Sequence, residues 1–345
     1  MLIVEIDIKM KTCWKVAKGT YKINTKLIDG INICELISGL VLYEGYAEII
    51  DENDIKIITY ELYDSEDHNS NYSEYVLPNL RFADNWTSIT YNESYKYWAF
   101  SYLNRAYNAS KEVCDAFGIN KCMIVYGPPG VGKSTFTKAL CQKLAIRNKK
   151  KMHLREINCN RILSRFYGES IKNLANLLDC ENKDTVIVLD EADSILLDRG
   201  SIINKNEPND SVRIINSLLS FIDRGKNFII LISNFKDQLD SAILDRCDIL
   251  VEMEKLSLQL TYNLLKNTLE KMMDMGYLEH YQFMEFLNVE ICGEMADERS
   301  WSLFNIAARH LQKSPRQIKK LMFGILGDGK QSIGEALKQL ANTSK

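Results

Sequence analysis

The sequence predicts an α/β protein: a parallel sheet with helices on both faces, a small helical lid after it and a small α+β domain before it. Three observations carry that expectation. Beyond residue 121, short apolar runs alternate with helical segments, the pattern of strands buried on both faces by crossover helices. A glycine-rich stretch, Gly127-Pro128-Pro129-Gly130-Val131-Gly132-Lys133-Ser134-Thr135, leaves the first of these strands and enters a helix. From Ser257 onward strand-like runs stop, and helical patterns follow at Thr261–Met273, Tyr281–Leu287, Trp301–Leu311 and Pro315–Ile325.

At the N-terminus, Val4–Lys9 alternates with period two, a half-buried strand rather than a signal peptide. Further strand-like runs lie at Gly39–Tyr43, Ala47–Ile50 and Ile55–Leu62. Residues 64–75 are polar and acidic and read as an exposed linker. The expected organisation is an N-terminal domain over 1–80, a large sheet domain over 81–255 and a helical lid over 256–345. Within the large domain, Met123–Tyr126 precedes a helix starting at Lys133, and His153–Ile157 precedes the helical segment Leu163–Leu178. Thr185–Leu189 leads into Asp193–Leu197, and Val212–Ile222 leads into Phe228–Ile232.

Composition excludes several classes. With 345 residues, 46% hydrophobic and 26% charged, the chain is long enough for two or three globular domains. A net charge of −3 gives no broad positive field for nucleic acid, so no direct nucleic-acid partner is expected. The longest apolar runs are too short to span a bilayer, and no membrane role is expected. Nine scattered cysteines without a CxxC pair fit reduced thiols, and four separated histidines support no zinc site.

The glycine-rich stretch has the spacing of a phosphate-binding loop. Its glycines let successive N–H groups turn inward, and the helix that follows points its N-terminus at the same place. Lys133 is placed for β- and γ-phosphates of ATP, and Ser134 for Mg²⁺. Thr185-Val-Ile-Val-Leu-Asp190-Glu191 reads as a Walker B strand: Asp190 for the metal, Glu191 to polarise the attacking water. Residues 190–193 spell Asp-Glu-Ala-Asp, but a helicase needs a second sheet lobe, and only helices follow residue 255. Phe228–Ile232 ends at Ser233-Asn234, and Asn234 falls where a polar group meets the γ-phosphate or the water, the sensor 1 position. Arg246 has the setting of an arginine finger donated to a neighbouring subunit; the alternative is a surface pair with Asp245 or Asp248. Ser314-Pro315 opens a helix whose first turn carries Arg316, the sensor 2 position.

A nucleotide-binding sheet followed by a small helical lid is the AAA+ layout. Between the Walker motifs, Phe166-Tyr167-Gly168 reads as a loop tip that would line a ring's channel and grip an unfolded chain through apolar area. The alternative puts Phe166 in the core with Leu163 and Leu174. Arg199–Asp210 is a second candidate channel loop.

A narrower likeness lies in three stretches: Asn209-Asp-Ser-Val-Arg-Ile-Ile-Asn216 through Asp223, Ser233-Asn234, and Ile243-Leu-Asp-Arg-Cys-Asp-Ile249. With Val76-Leu-Pro78, Trp86, Ser88-Ile89, Tyr91 and Lys96, the chain resembles the pachytene checkpoint protein two (thyroid receptor-interacting protein thirteen) family. The resemblance implies a homohexameric ATPase that partly unfolds HORMA-domain proteins, often through a HORMA adaptor. It assigns substrate or adaptor recognition to the N-terminal domain over 1–80. It also implies work in the meiotic recombination checkpoint and chromosome axis, or in the spindle checkpoint. The compartment implied is the nucleus and chromosome, with the cytoplasm as alternative. Ile89 and Tyr91 fall where that family's segment approaches adenine, and Phe166 and Tyr167 match its pore aromatics. Gly168 stands where the family has serine, and Pro315 where it has glycine. The alternative function is an AAA+ unfoldase of another protein substrate.

Overall fold

The computed structural model of the protein describes residues 2–8, 19–24, 55–68, 72–160, 177–178, 180, 184–196, 210–326 and 331–342. The expectations at Gly39–Tyr43, Ala47–Ile50, Phe166, Tyr167, Gly168 and residues 199–209 lie outside the described residues, as does Leu163–Leu178 except Leu177 and Leu178.

Near the N-terminus, β1 (Leu2–Ile8), β2 (Gly19–Asn24) and β3 (Ile55–Glu61) form an antiparallel sheet in the order β2-β1-β3. The alternating runs at Val4–Lys9 and Ile55–Leu62 correspond to β1 and β3. The larger sheet comprises β4 (Glu66–His68), β5 (Tyr72–Leu77), β6 (Cys122–Tyr126), β7 (Met152–Asn158), β8 (Thr185–Asp190), β9 (Phe228–Ser233) and β10 (Ile249–Glu252). Their order is β10-β6-β9-β8-β7-β5-β4, parallel from β10 to β7 and antiparallel for the last two pairings. Every residue of β9, and every residue of β6 and β8 but the last, is buried, as expected of strands covered on both faces.

Two expectations are corrected here. Residues 64–75 are not a linker: they supply β4 and most of β5, so the sheet begins at Glu66, ahead of the expected boundary at 80. Tyr75 and Leu77 face the core, and the polar Glu74 ahead of them is paired across the sheet. The Glu74 carboxylate accepts Arg155 Nε at 2.9 Å and lies 3.0 Å from His153 Nδ1, both on β7. The helix expected over Tyr281–Leu287 starts only at Phe286. Residues 281–285 are instead pinned to neighbouring helices by side-chain bonds, among them Tyr262 Oη to Met284 O at 2.8 Å.

The helices are α1 (Asn85–Ser88), α2 (Glu93–Asn108), α3 (Lys111–Phe117), α4 (Lys133–Asn148), α5 (Asp210–Arg224) and α6 (Ser241–Arg246). The lid holds α7 (Leu258–Asp274), α8 (Phe286–Cys292), α9 (Glu298–Arg309), α10 (Pro315–Gly324) and α11 (Ile333–Asn342). One face of the sheet packs on α2 and α4 through Leu103, Phe136, Leu140 and Leu144. The other packs on α5 and α6 through Ile214, Leu218, Ile222 and Ile243. A third core, around Tyr262, Leu269, Leu303, Ile318 and Leu337, belongs to the lid. The exposed edge at β10 is met by α2: Tyr95 Oη accepts the Glu252 N–H at 2.8 Å.

Candidate functional site

The strands β6, β8 and β9 lie side by side and parallel, so their carboxyl ends open onto one edge, where ligands of such sheets collect. From β6 the chain turns through Gly127, Gly130 and Gly132, all with positive φ (145°, 80° and 106°). At Gly127 a Cβ would stand 2.0 Å from Met253 O, and at Gly130 it would stand 2.8 Å from Ser314 Oγ. Both positions therefore demand glycine for space as well as for backbone freedom. The loop is pressed between the end of the sheet and the first turn of α10.

At the start of α4, Lys133 is buried, and its ammonium donates to Gly127 O at 2.7 Å, Pro128 O at 2.9 Å and Asn234 Oδ1 at 2.8 Å. Burial lowers its pKa below the ordinary lysine range; Asp190 and Asp193 oppose that shift, and Arg316 adds to it. Ser134 Oγ donates to Asp190 Oδ2 at 2.8 Å, while Asp190 Oδ1 accepts the Glu191 N–H at 2.9 Å. Glu191 sits at φ 58°, a left-handed conformation unusual for glutamate. Its Oε2 accepts from Asn158 Nδ2 at 2.9 Å and Asn160 Nδ2 at 2.6 Å. Asn234 is oriented by Asp193, whose carboxylate accepts its N–H at 3.2 Å and its Nδ2 at 3.4 Å.

A cavity of about 240 Å³ joins these groups: Pro129, Gly130, Gly132, Lys133, Ser134, Thr135, Asp190, Glu191, Asn234 and Arg316 all line it. Arg316 arrives from the lid, its N–H directed at Gly130 O at 3.4 Å. Val131 turns into the core instead. Arg246 stands apart from the cavity. It is paired neither with Asp245 nor with Asp248; its Nε donates to Asp223 Oδ1 at 2.7 Å, which raises its pKa. Ile89 and Tyr91 do not line this cavity either. Ile89 packs on the sheet core, and Tyr91 lies between the sheet and lid cores.

Sequence reading missed Asn158, Asn160 and Asp193. A signal existed for Asn158, a polar residue ending a strand at the same edge as Asp190 and Asn234. Asp193 was visible only as the last letter of Asp-Glu-Ala-Asp.

The donor set suits a nucleotide with its metal. An ammonium, a guanidinium and the first-turn amides of α4 match phosphate oxygens, and a hydroxyl beside a carboxylate matches a hard divalent cation. Among the described residues no group of three or more His, Cys, Asp or Glu forms a metal cage. Ser134 and Asp190 fit a hard divalent cation that accompanies a nucleotide. Among the described residues no helix is long and apolar enough to cross a membrane.

Residues 123–255 match the model of the ATPase family associated with various cellular activities. The sheet, the lid and the phosphate loop between them define an AAA+ ATPase. A pachytene checkpoint protein 2 homolog from Oryza sativa subsp. indica is 30% identical over 257 residues, covering 67% of this chain and 55% of the relative. The homolog from Danio rerio is 27% identical, covering 87% of this chain and 76% of the relative. Pachytene checkpoint protein 2 of Saccharomyces cerevisiae is 30% identical, covering 59% and 42%. Within the AAA+ class, the chain is thus similar to pachytene checkpoint protein 2 and its homologs. It spans about half the length of the first curated relatives it matches, 55% and 53%. In fold it is similar to the solved structure of C. elegans PCH-2, with TM-score 0.64, 21% identity and coverage of 83% and 76%. The E. coli MS115-1 HORMA:CdnC:Trip13 complex gives TM-score 0.55 at 13% identity, covering 78% and 94%.

Proposed function

We propose that the chain hydrolyses ATP as a homohexamer and uses the turnover to unfold part of a HORMA-domain protein, directly or through a HORMA adaptor. The observation that carries this reading is the split between the phosphate cavity and Arg246. Lys133, Ser134, Asp190, Glu191, Asn234 and Arg316 converge on one space, while Arg246 is outside it on the exposed end of α6. An arginine finger so placed serves a neighbouring subunit's nucleotide, which calls for a ring.

In that ring Lys133 and Arg316 neutralise phosphate oxygens, and Asn234 orients the attacking water. Glu191 accepts the proton of that water on its carboxylate. Ser134 and Asp190 would hold Mg²⁺, whose chemistry there would be Lewis-acid withdrawal of charge from phosphate oxygens. Ile89 and Tyr91 lie on the adenine side. Phe166, Tyr167 and Gly168 are assigned the task of gripping and pulling the substrate chain. The N-terminal residues ahead of β4 receive substrate or adaptor. The name of the E. coli relative includes HORMA beside Trip13, which supports a substrate of this class. The cellular setting proposed is meiotic recombination checkpoint and chromosome-axis control, with spindle checkpoint control alongside, in the nucleus.

The test is affinity capture with Glu191→Gln in the presence of ATP. A HORMA-domain protein held by the variant and released by wild type supports the reading. Capture of unrelated proteins instead would favour an unfoldase of another substrate, and a chain that stays a single subunit with ATP would exclude the ring.

A further inference from the structure

Between β10 and α7 the chain crosses from the sheet to the lid through Met253 to Ser257. On one side this crossing is pressed against the phosphate loop. The Met253 N–H donates to Tyr126 O at 2.7 Å, and Met253 O occupies the space beside Gly127 that a Cβ would need. On the other side a single hydroxyl grips it. Tyr91 Oη donates to Glu252 O at 3.2 Å and accepts the Glu254 N–H at 3.0 Å. One phenol therefore ties the last residue of the sheet to a residue already on the way to the lid.

Its ring packs against the apolar cores of both parts. Burial is the main cause holding the hydroxyl above the usual phenol range, so Oη keeps its proton and its donor near neutrality. The turn that presents Tyr91 is itself fixed. Lys96 is 1% exposed, and its ammonium donates to Trp86 O and Ile89 O at 3.1 Å each. Asn92 accepts the Tyr95 N–H and caps α2. The Tyr95 hydroxyl, one turn further on, accepts the Glu252 N–H and so holds the sheet side alone.

We infer that Tyr91 is a positioning residue for nucleotide binding: its hydroxyl clips the sheet-to-lid crossing and so sets where α10 carries Arg316 over the cavity. The inference rests on the reading that nucleotide is held between the phosphate loop and Arg316. A ligand that touches both parts binds only molecules in which they are aligned, and its apparent affinity falls with that fraction. Without the hydroxyl, Glu252 O and the Glu254 N–H turn to water and the crossing gains freedom.

The variant is Tyr91→Phe, which keeps the ring in both cores and removes only the clip; Tyr95→Phe is its comparison. Hydrogen exchange on nucleotide-free protein reads the crossing directly. Loss of the bond speeds exchange across 252–257 by about ten-fold, with α4 and α9 unchanged. With ATP, KM for Tyr91→Phe rises about five-fold while kcat at saturation stays near wild type, and Tyr95→Phe keeps a wild-type KM. Unchanged exchange at 252–257 overturns the inference, as does an equal rise in KM for Tyr95→Phe. Equal KM values in a wild type that binds ATP overturn this inference alone. A wild type that fails to bind ATP overturns the nucleotide reading with it.

Discussion

Asn234 Oδ1 lies 2.8 Å from the Lys133 ammonium, so the end of β9 steadies the cation that the phosphate loop delivers. Asp193 in turn fixes the Asn234 amide from behind. The asparagine is therefore preorganised, and its effect belongs to the transition state more than to binding. Asn234→Ala is expected to lower kcat roughly a hundred-fold while ATP affinity changes only a few-fold. Steady-state phosphate release checks this, and an unaltered kcat would remove Asn234 from its role.

Glu191 is held by Asn158 and Asn160 through Oε2, a contact that a glutamine oxygen can keep. Glu191→Gln therefore preserves the local geometry and removes only the capacity to take a proton. Nucleotide binding and assembly should persist, with turnover lower by at least about a hundred-fold. Turnover at the wild-type rate would assign the base elsewhere.

The reach of sequence reading was set by where the partners of each residue lie in the chain. Lys133 and Ser134 were legible because the phosphate loop is contiguous. Asp190 and Asn234 were legible because each follows an apolar run that must be a buried strand. The strand β5 was not, because Glu74 is polar and its partners His153 and Arg155 lie on β7, far along the chain. The helix α2 was hidden by its composition, with tyrosines spread around it and a buried lysine, Lys96, among them. Asn160 escaped because its contact depends on the left-handed backbone of Glu191, which no local pattern announces.

Lys133 gives a pH signature. Burial lowers its pKa, so in the empty site it loses its proton at a lower pH than a free lysine does. Phosphate favours the charged form, and ATP affinity should decline as pH rises through that lowered value. The unfolded chain, with an ordinary lysine, keeps the proton to higher pH, so this titration increases the stability of the empty protein as pH rises. Binding measured from about pH 7 to about pH 10 tests the first trend and thermal unfolding without nucleotide the second. Affinity that climbed across the range would contradict the assignment.

Gly127 and Gly130 should respond differently to alanine. At Gly127 the added Cβ meets backbone, Met253 O at 2.0 Å, which neither the sheet nor the crossing can yield. At Gly130 it meets Ser314 Oγ at 2.8 Å, a side chain that can rotate at the expense of the α10 cap. Gly127→Ala is expected to cost more than about 3 kcal/mol, and Gly130→Ala about 1–2 kcal/mol with weaker ATP binding. Denaturant unfolding gives the ranking, and equal costs would refute it.

Arg246 offers the sharpest test of the ring. Its bond to Asp223 is exposed, so Arg246→Ala should alter stability by less than about 1 kcal/mol while abolishing turnover. Lys133→Ala abolishes turnover for a different reason, since it spoils the phosphate cavity of its own subunit. If each site takes Lys133 from one subunit and Arg246 from the next, mixing the two inactive variants rebuilds intact sites. In a random equal mixture about a quarter of the interfaces carry both residues, and ATPase activity should return in that proportion. If Arg246 served its own subunit's nucleotide, no mixture could restore activity, because every subunit would lack one of the pair. Mixing with exchange of subunits, followed by a phosphate-release assay, separates the two arrangements.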